Sequence, residues 1–178
     1  MTDQRNDANL ERSIAALPRN SGVIFRHYHL KPAERVKRFA AVRKQTIRDG
    51  HILLLADSPR LARKWGADGV HGGDWRRHQT IGLLRSASVH NAREIQKTRE
   101  KGAELFFLSP IFATRSHPGQ KPLNGSQVRR LSTLCNAPII LLGGMNRHRF
   151  TRCSHWPIHG WGAIDSLSNH RKMQNNEM

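Results

Sequence analysis

The sequence predicts an α/β protein with a (β/α)8 TIM-barrel fold whose first strand is missing or truncated. Short apolar, β-rich segments alternate with helical segments along the chain, which is typical of a parallel sheet. The later strand segments are nearly continuous apolar runs, as expected for strands that are buried on both faces. The number of strand–helix units, and an N-terminal segment that begins at a helix, favour a barrel over a flavodoxin-like open sheet.

Seven strands and six helices are predicted in alternation. The strands are Ser21–Tyr28, His51–Ala56, Gly69–His71, Leu83–Val89, Glu104–Ser109, Pro138–Leu142 and His159–Ile164. The helices are Ala8–Leu17, Ala33–Arg48, Ser58–Trp65, Ala92–Lys101, Ser126–Cys135 and Arg147–Cys153. The seven strands would be the second to the eighth strand of a barrel.

The length of the chain, 178 residues, indicates one domain with one hydrophobic core. We expect the barrel to occupy residues 1–168 and a polar C-terminal tail to follow over residues 169–178. Cys135 and Cys153 are too few for a disulfide framework, and neither a leader nor a long apolar run is recognisable. These features predict a cytoplasmic protein with no membrane segment.

The chain is strongly basic, with 30 Lys and Arg against 13 Asp and Glu and a formal net charge of +17. Such a charge attracts polyanions, so nucleic acid is one possible partner. However, the basic residues are spread along the chain, and aromatic residues make up only 6%, which leaves little for base stacking. Composition therefore favours a small phosphate-bearing ligand over nucleic acid.

Two loops after predicted strands suit a phosphate group. Gly143 and Gly144 directly follow an apolar strand, where backbone N–H groups can approach an anion without obstruction by a side chain. The long loop after the fifth predicted strand carries Thr114, Arg115 and Ser116, which can donate hydrogen bonds to phosphate oxygens. The alternatives are an ordinary glycine turn and a solvated surface loop.

Two aspartates follow neighbouring predicted strands. A barrel would bring Asp57 and Asp74 to the same rim, where they could bind Mg²⁺ bridging to a diphosphate; the alternative is a helix-capping role.

The eleven histidines show no convincing zinc spacing. His27, His29 and His90 lie at strand ends, where structural and acid–base roles are both open.

Four motifs occur in one order that resembles the thiamine phosphate synthase and thiazole tautomerase (TenI) family. They are Gly66–His71, Ser88–Asn91, Ser109–Thr114 and Gly143–Asn146. The similarity extends over roughly residues 50–167, and more weakly from Ser21. It implies a barrel that couples hydroxymethylpyrimidine diphosphate to thiazole phosphate and releases pyrophosphate, with Mg²⁺ on the leaving group.

The resemblance also implies roles for individual residues. Arg26 and Ser88 match catalytic positions, Asp57 matches the metal aspartate, and Asp74 matches the second metal aspartate across a gap. The implied substrate-binding residues are Thr114, Arg115, Ser116, His117, Gly144, Ile164 and Asp165. Of these, His117 stands in place of a lysine, and Asp165 in place of a serine.

Other differences keep a second function open. Ile24 and Phe25 replace a Gln-Leu pair, and Ala56 replaces an asparagine beside Asp57. A non-catalytic or tautomerase-like barrel that binds a phosphorylated thiazole or thiamine compound is therefore the alternative, although the segment Ser109–Pro110 is synthase-like. Nucleic-acid binding is a third possibility, and the number of subunits is left open.

The first three residues, Met1 to Asp3, resemble the end of the family's first strand. A natural start upstream of Met1 would supply the hydrophobic beginning of that strand. We therefore expect a chain extended upstream to complete the barrel.

Overall fold

The computed structural model describes residues 1–114 and 119–164. Its strands are β1 (Gly22–Phe25), β2 (Ile52–Leu55), β3 (Gly69–Gly72), β4 (Leu84–Val89), β5 (Leu105–Leu108), β6 (Ile139–Leu141) and β7 (Gly160–Trp161). Its α-helices are α1 (Leu10–Ala15), α2 (Pro32–Asp49), α3 (Pro59–Trp65), α4 (Ala92–Glu100), α5 (Gly125–Ser132) and α6 (Arg147–Thr151). Two 3-10 helices cover Gln4–Asn9 and Arg77–Thr80.

The strands form one sheet in the order β1 to β7, and every neighbouring pair is parallel. The predicted strands and α-helices are therefore all confirmed in kind, although most are shorter than predicted. The predicted first strand, for example, ends at Phe25, and Tyr28 lies in the turn that follows. The connection between β3 and β4 carries a 3-10 helix in place of an α-helix.

The sheet is curled around an apolar interior. Ile24 on β1, Leu54 on β2 and Phe107 on β5 belong to one buried group of side chains, against which Ile140 of β6 packs. In a flat sheet β1 and β5 would lie about 19 Å apart, because neighbouring strands are spaced about 4.8 Å. The packing of side chains from both strands into one buried group therefore requires strong curvature.

The two edges of this sheet approach each other but do not pair as strands. The backbone nitrogen of Thr2 donates to the carbonyl of Ile24 on β1 (2.8 Å), and that of Met1 donates to the carbonyl of Ala163, just after β7 (2.9 Å). One backbone hydrogen bond to each edge is too few for a strand ladder. Of the predicted (β/α)8 barrel with a missing or truncated first strand, the described residues thus form a curled parallel sheet of seven strands, which is not a closed barrel.

The opposite face of the sheet packs against the helices. Phe25 points outward from β1 and contacts Phe39 of α2 edge to face, with ring centroids 5.2 Å apart. Both side chains are fully buried, as the continuous apolar pattern of the strands requires.

No helix among the described residues is long and apolar enough to cross a membrane. The predicted tail, residues 169–178, lies outside the described residues.

Candidate active site at the carboxyl ends of the strands

Polar side chains gather where the parallel strands end, which is the face that carries the active site in TIM-barrel enzymes. Arg26 follows β1, Asp57 follows β2, and Ser88 lies near the end of β4. Because the sheet is curled, these strand ends surround a common space. The structure therefore places three of the predicted site residues on one rim.

Arg26 is partly exposed at this rim. Its guanidinium lies 3.8 Å from the carboxylate of Asp3, and 28% of its side chain is accessible to solvent. Its backbone N–H donates to the hydroxyl of Thr2 at 3.0 Å, which holds the end of β1 against the first residues of the chain. The exposed ring of Tyr28 lies 5.7 Å from the guanidinium. Arg26 can therefore turn a cationic group towards an anionic ligand.

Asp57 forms an ion pair that sequence reasoning missed. The buried side chain of Arg35, on α2, donates to Asp57 Oδ2 at 2.6 Å. It also donates to the carbonyls of Arg26 (2.9 Å) and Ala56 (3.2 Å), which directly follow the first two strands. Asp57 Oδ1 accepts from the backbone N–H of Ser58 at 2.7 Å. The carboxylate is thus already neutralised by a fixed cation.

These contacts do not fit a Mg²⁺ site. The Asp74 side chain is fully exposed and lies 3.8 Å from Lys101 Nζ, so it is not gathered with Asp57 into one donor set. Among the described residues, no group of three or more His, Cys, Asp or Glu side chains could hold a metal ion. Mg²⁺ that is bound through phosphates needs only one or two protein carboxylates, so the lack of such a group does not by itself argue against the metal. The stronger argument is that Asp57 already pairs with Arg35. The use of Mg²⁺ stays a prediction.

His71, for which the sequence predicted no role, lies on the inner face of the curled sheet. The Nδ1 atom of His71, on β3, is 2.9 Å from Ser86 Oγ, and its Nε2 atom is 3.2 Å from Ser88 Oγ. The ring also packs edge to face against Phe107, with centroids 5.3 Å apart. Burial, reinforced by positive charge nearby, lowers the pKa of His71 to about 3. The imidazole is therefore neutral at physiological pH.

The two glycines of the predicted phosphate loop are required by packing. Gly143 and Gly144 have φ angles of +90° and +60°, which favour glycine. A Cβ atom on Gly144 would lie 2.6 Å from the carbonyl oxygen of Ala113. Arg149 of α6 donates to the Gly144 carbonyl, and its guanidinium lies 4.8 Å from the centroid of the Phe112 ring. This loop is therefore held tightly against the segment that leads to Thr114.

Four of the predicted site residues lie outside the described residues, namely Arg115, Ser116, His117 and Asp165. Thr114 and Ile164 are described and are both half-buried. The Ile164 carbonyl accepts from the Asn6 side chain at 3.0 Å, so its backbone ties the end of the sheet to the first 3-10 helix.

Two of the three strand-end histidines, His27 and His90, form polar side-chain contacts that hold them in place. His27 is buried, with Nδ1 2.7 Å from the Thr2 hydroxyl and Nε2 2.8 Å from Asp7 Oδ1. Burial lowers the pKa of His27 despite the Asp7 contact, which acts in the opposite direction. His90 pairs with Glu94 at 2.8 Å. These contacts favour the structural interpretation of both residues.

Fold and site together define a TIM-barrel-like α/β protein with cationic and hydroxyl groups at the carboxyl ends of its strands. The thiamine phosphate pyrophosphorylase of Pyrococcus furiosus has a similar fold, with a TM-score of 0.78 over 95% of this chain and 86% of that chain, at 17% identity. The family model for thiamine monophosphate synthase matches residues 1–167. The chain belongs to this family, as its motifs indicated.

Two relatives show how far the similarity extends. A thiamine-phosphate synthase of Caldicellulosiruptor saccharolyticus is 28% identical over 153 residues, which cover 79% of this chain and 68% of that protein. A putative thiamine-phosphate synthase 2 of Aquifex aeolicus is 28% identical over 148 residues, covering 80% of each chain. The similarity therefore includes most of this chain.

The packing of Gly144 leads to a prediction about stability. We expect Gly144→Ala to lower the free energy of unfolding more than Gly82→Ala does, measured by urea denaturation. Gly82 has a similar φ of +75°, but a Cβ atom added there would meet no other atom within 4 Å. The two changes therefore share a backbone cost of about 1 kcal/mol and differ in the clash. Equal losses would show that the contact with Ala113 relaxes without cost.

Proposed function

We propose that this chain is a transferase of thiamine biosynthesis that couples hydroxymethylpyrimidine diphosphate to thiazole phosphate and releases pyrophosphate. The observation that carries this proposal is the match of the thiamine monophosphate synthase family model to residues 1–167. The names of the relatives, thiamine-phosphate synthases, agree with it. Small phosphorylated compounds are then the substrates, and the positive charge of the chain suits them.

The site supports a division of roles. The guanidinium of Arg26 would stabilise negative charge on the departing pyrophosphate, because a cation placed where charge develops lowers the barrier. Thr114 and the loop of Gly144 would bind the thiazole phosphate. Ser88 would contact the pyrimidine substrate. The roles of Arg115, Ser116, His117, Ile164 and Asp165 stay predictions of the same kind.

We further infer that the first residues of the chain take the place of a barrel's first strand. The hydrogen bonds of Thr2 to Ile24 and of Met1 to Ala163 reach both edges of the sheet, which supports this interpretation. The curled sheet would then be a (β/α)8 barrel with a truncated first strand. The predicted cytoplasmic location remains a prediction.

A second candidate function is binding without coupling. The Arg35–Asp57 ion pair favours it, since it occupies the carboxylate that family resemblance assigns to the metal. Under this alternative the chain binds a phosphorylated thiazole or thiamine compound, and no pyrophosphate is released. Calorimetry that detects tight binding without product formation would favour this function over the synthase.

The role of Arg26 can be tested by kinetics. We expect Arg26→Ala to reduce kcat/KM for thiamine phosphate formation by about 100-fold, because one charge-stabilising group is removed. Arg12→Ala, on the exposed surface of α1, is the matched control and should leave kcat/KM unchanged. Equal rates for the two variants would remove Arg26 from the proposed site.

The ion pair predicts a structural effect of Asp57. We expect Asp57→Asn to lower the free energy of unfolding by about 1–3 kcal/mol in urea denaturation, because it leaves the buried Arg35 guanidinium without its counter-charge. Asp49→Asn is the control, since Asp49 pairs with the largely exposed Arg48 and should change stability little. Unchanged stability of Asp57→Asn, together with lost Mg²⁺ dependence of activity, would instead make Asp57 a metal ligand.

A further inference from the structure

Three polar side chains form a connected chain on the inner face of β3 and β4. His71 is the register partner of Ser86 on the neighbouring strand. Ser88 lies two residues further along β4, and residues two apart on a strand point to the same face. The Ser86 hydroxyl is fully buried, whereas Ser88 is partly exposed at the rim. The chain of contacts therefore runs from the interior of the sheet to the candidate site.

One arrangement of the protons satisfies all of these contacts. Ser86 Oγ is 3.3 Å from the Val70 carbonyl, which can only accept, so the single hydroxyl proton of Ser86 points there. At its 2.9 Å contact with His71 Nδ1, Ser86 must then accept, which places the imidazole proton on Nδ1. His71 Nε2 is left as an acceptor for the Ser88 hydroxyl. Only this tautomer satisfies all three contacts at once.

The surroundings keep the ring fixed and neutral. Phe107 packs against the ring from β5. The guanidinium of Arg26 is a positive charge that opposes a second proton on the imidazole, and burial opposes it more strongly. Together they hold the pKa of His71 far below 6.5, at about 3. His71 Nε2 therefore remains an acceptor throughout the physiological pH range.

Resting on the proposed transferase function, we propose that His71 is a positioning residue that turns the Ser88 hydroxyl proton inward. The oxygen of Ser88 then presents its lone pairs to the pyrimidine substrate. It acts as a hydrogen-bond acceptor or a partner for positive charge and does not donate to the diphosphate. This assigns Ser88 to the pyrimidine side of the bound substrate.

The chemistry of the transfer agrees with this orientation. The bond between the pyrimidine methylene carbon and the diphosphate oxygen breaks, and its electron pair leaves with pyrophosphate. Positive charge develops on the pyrimidine, and the lone pair of the thiazole nitrogen then forms the new carbon–nitrogen bond. No proton passes to or from His71. A neutral imidazole and an oxygen lone pair stabilise the developing cation, whereas an imidazolium would repel it.

Long-range ¹H–¹⁵N correlation of the histidine-labelled protein tests the proposal without any substrate. We expect the His71 signals to report the Nδ1–H tautomer with no titration between pH 5 and pH 8, and His71→Gln identifies them by their loss. Ser88→Ala should shift the Nε2 resonance and leave the tautomer unchanged. An Nε2–H tautomer, or a titration near pH 6.5, would overturn the proposal even if the chain makes thiamine phosphate.

Two substitutions of His71 separate positioning from simple packing. His71→Gln keeps an acceptor near the place of Nε2, whereas His71→Asn keeps a donor near Nδ1 and does not reach Ser88. We expect the Asn variant to lose about 10- to 100-fold in kcat with an unchanged KM for thiazole phosphate, and the Gln variant to recover most of kcat. Equal loss in both folded variants, or loss expressed only in KM, would contradict the proposal.

Discussion

The curvature of the parallel sheet is the constraint on which the site depends. Apolar side chains from strands that are distant in sequence, such as Ile24 and Phe107, belong to one buried group, and the curvature that this packing requires brings the ends of the strands around a common rim. Arg26 and Ser88 lie 62 positions apart in the sequence numbering and still lie on the same rim. A substitution that flattens the sheet would therefore move the site residues apart, even if it replaced none of them.

Electrostatics at the rim are dominated by arginine. Arg35 is buried, pairs with Asp57 and ties the ends of β1 and β2 together through two carbonyls. The charge of Arg35 is therefore paired within the protein, whereas the partly exposed guanidinium of Arg26 is accessible to a ligand. Asp57 is thus part of the framework that holds the rim.

The pattern of alternating elements was sufficient to predict the parallel sheet, because most strands are short apolar runs and the helices between them have clear ends. Whether the sheet closes could not be predicted from the sequence, because closure depends on how many hydrogen bonds Met1 and Thr2 form with the two edges. The order of motifs predicted the family. The family model confirms it over residues 1–167.

Individual partners were harder to predict than elements. Arg35 was one cation among many on a basic helix, and only the structure shows that it reaches Asp57. His71 ends the family motif Gly66–His71, and the two serines two residues apart on the next strand were the signal that could have revealed its role. Side-chain pairing across strands needs the register, which sequence patterns leave undetermined.

The most direct measurement of the central claim is ³¹P NMR of the purified chain incubated with hydroxymethylpyrimidine diphosphate and thiazole phosphate, with and without Mg²⁺. The proposed transferase predicts that thiamine phosphate and pyrophosphate appear in equal amounts as both substrates disappear. Unchanged substrate signals with well-folded protein under both conditions would contradict it.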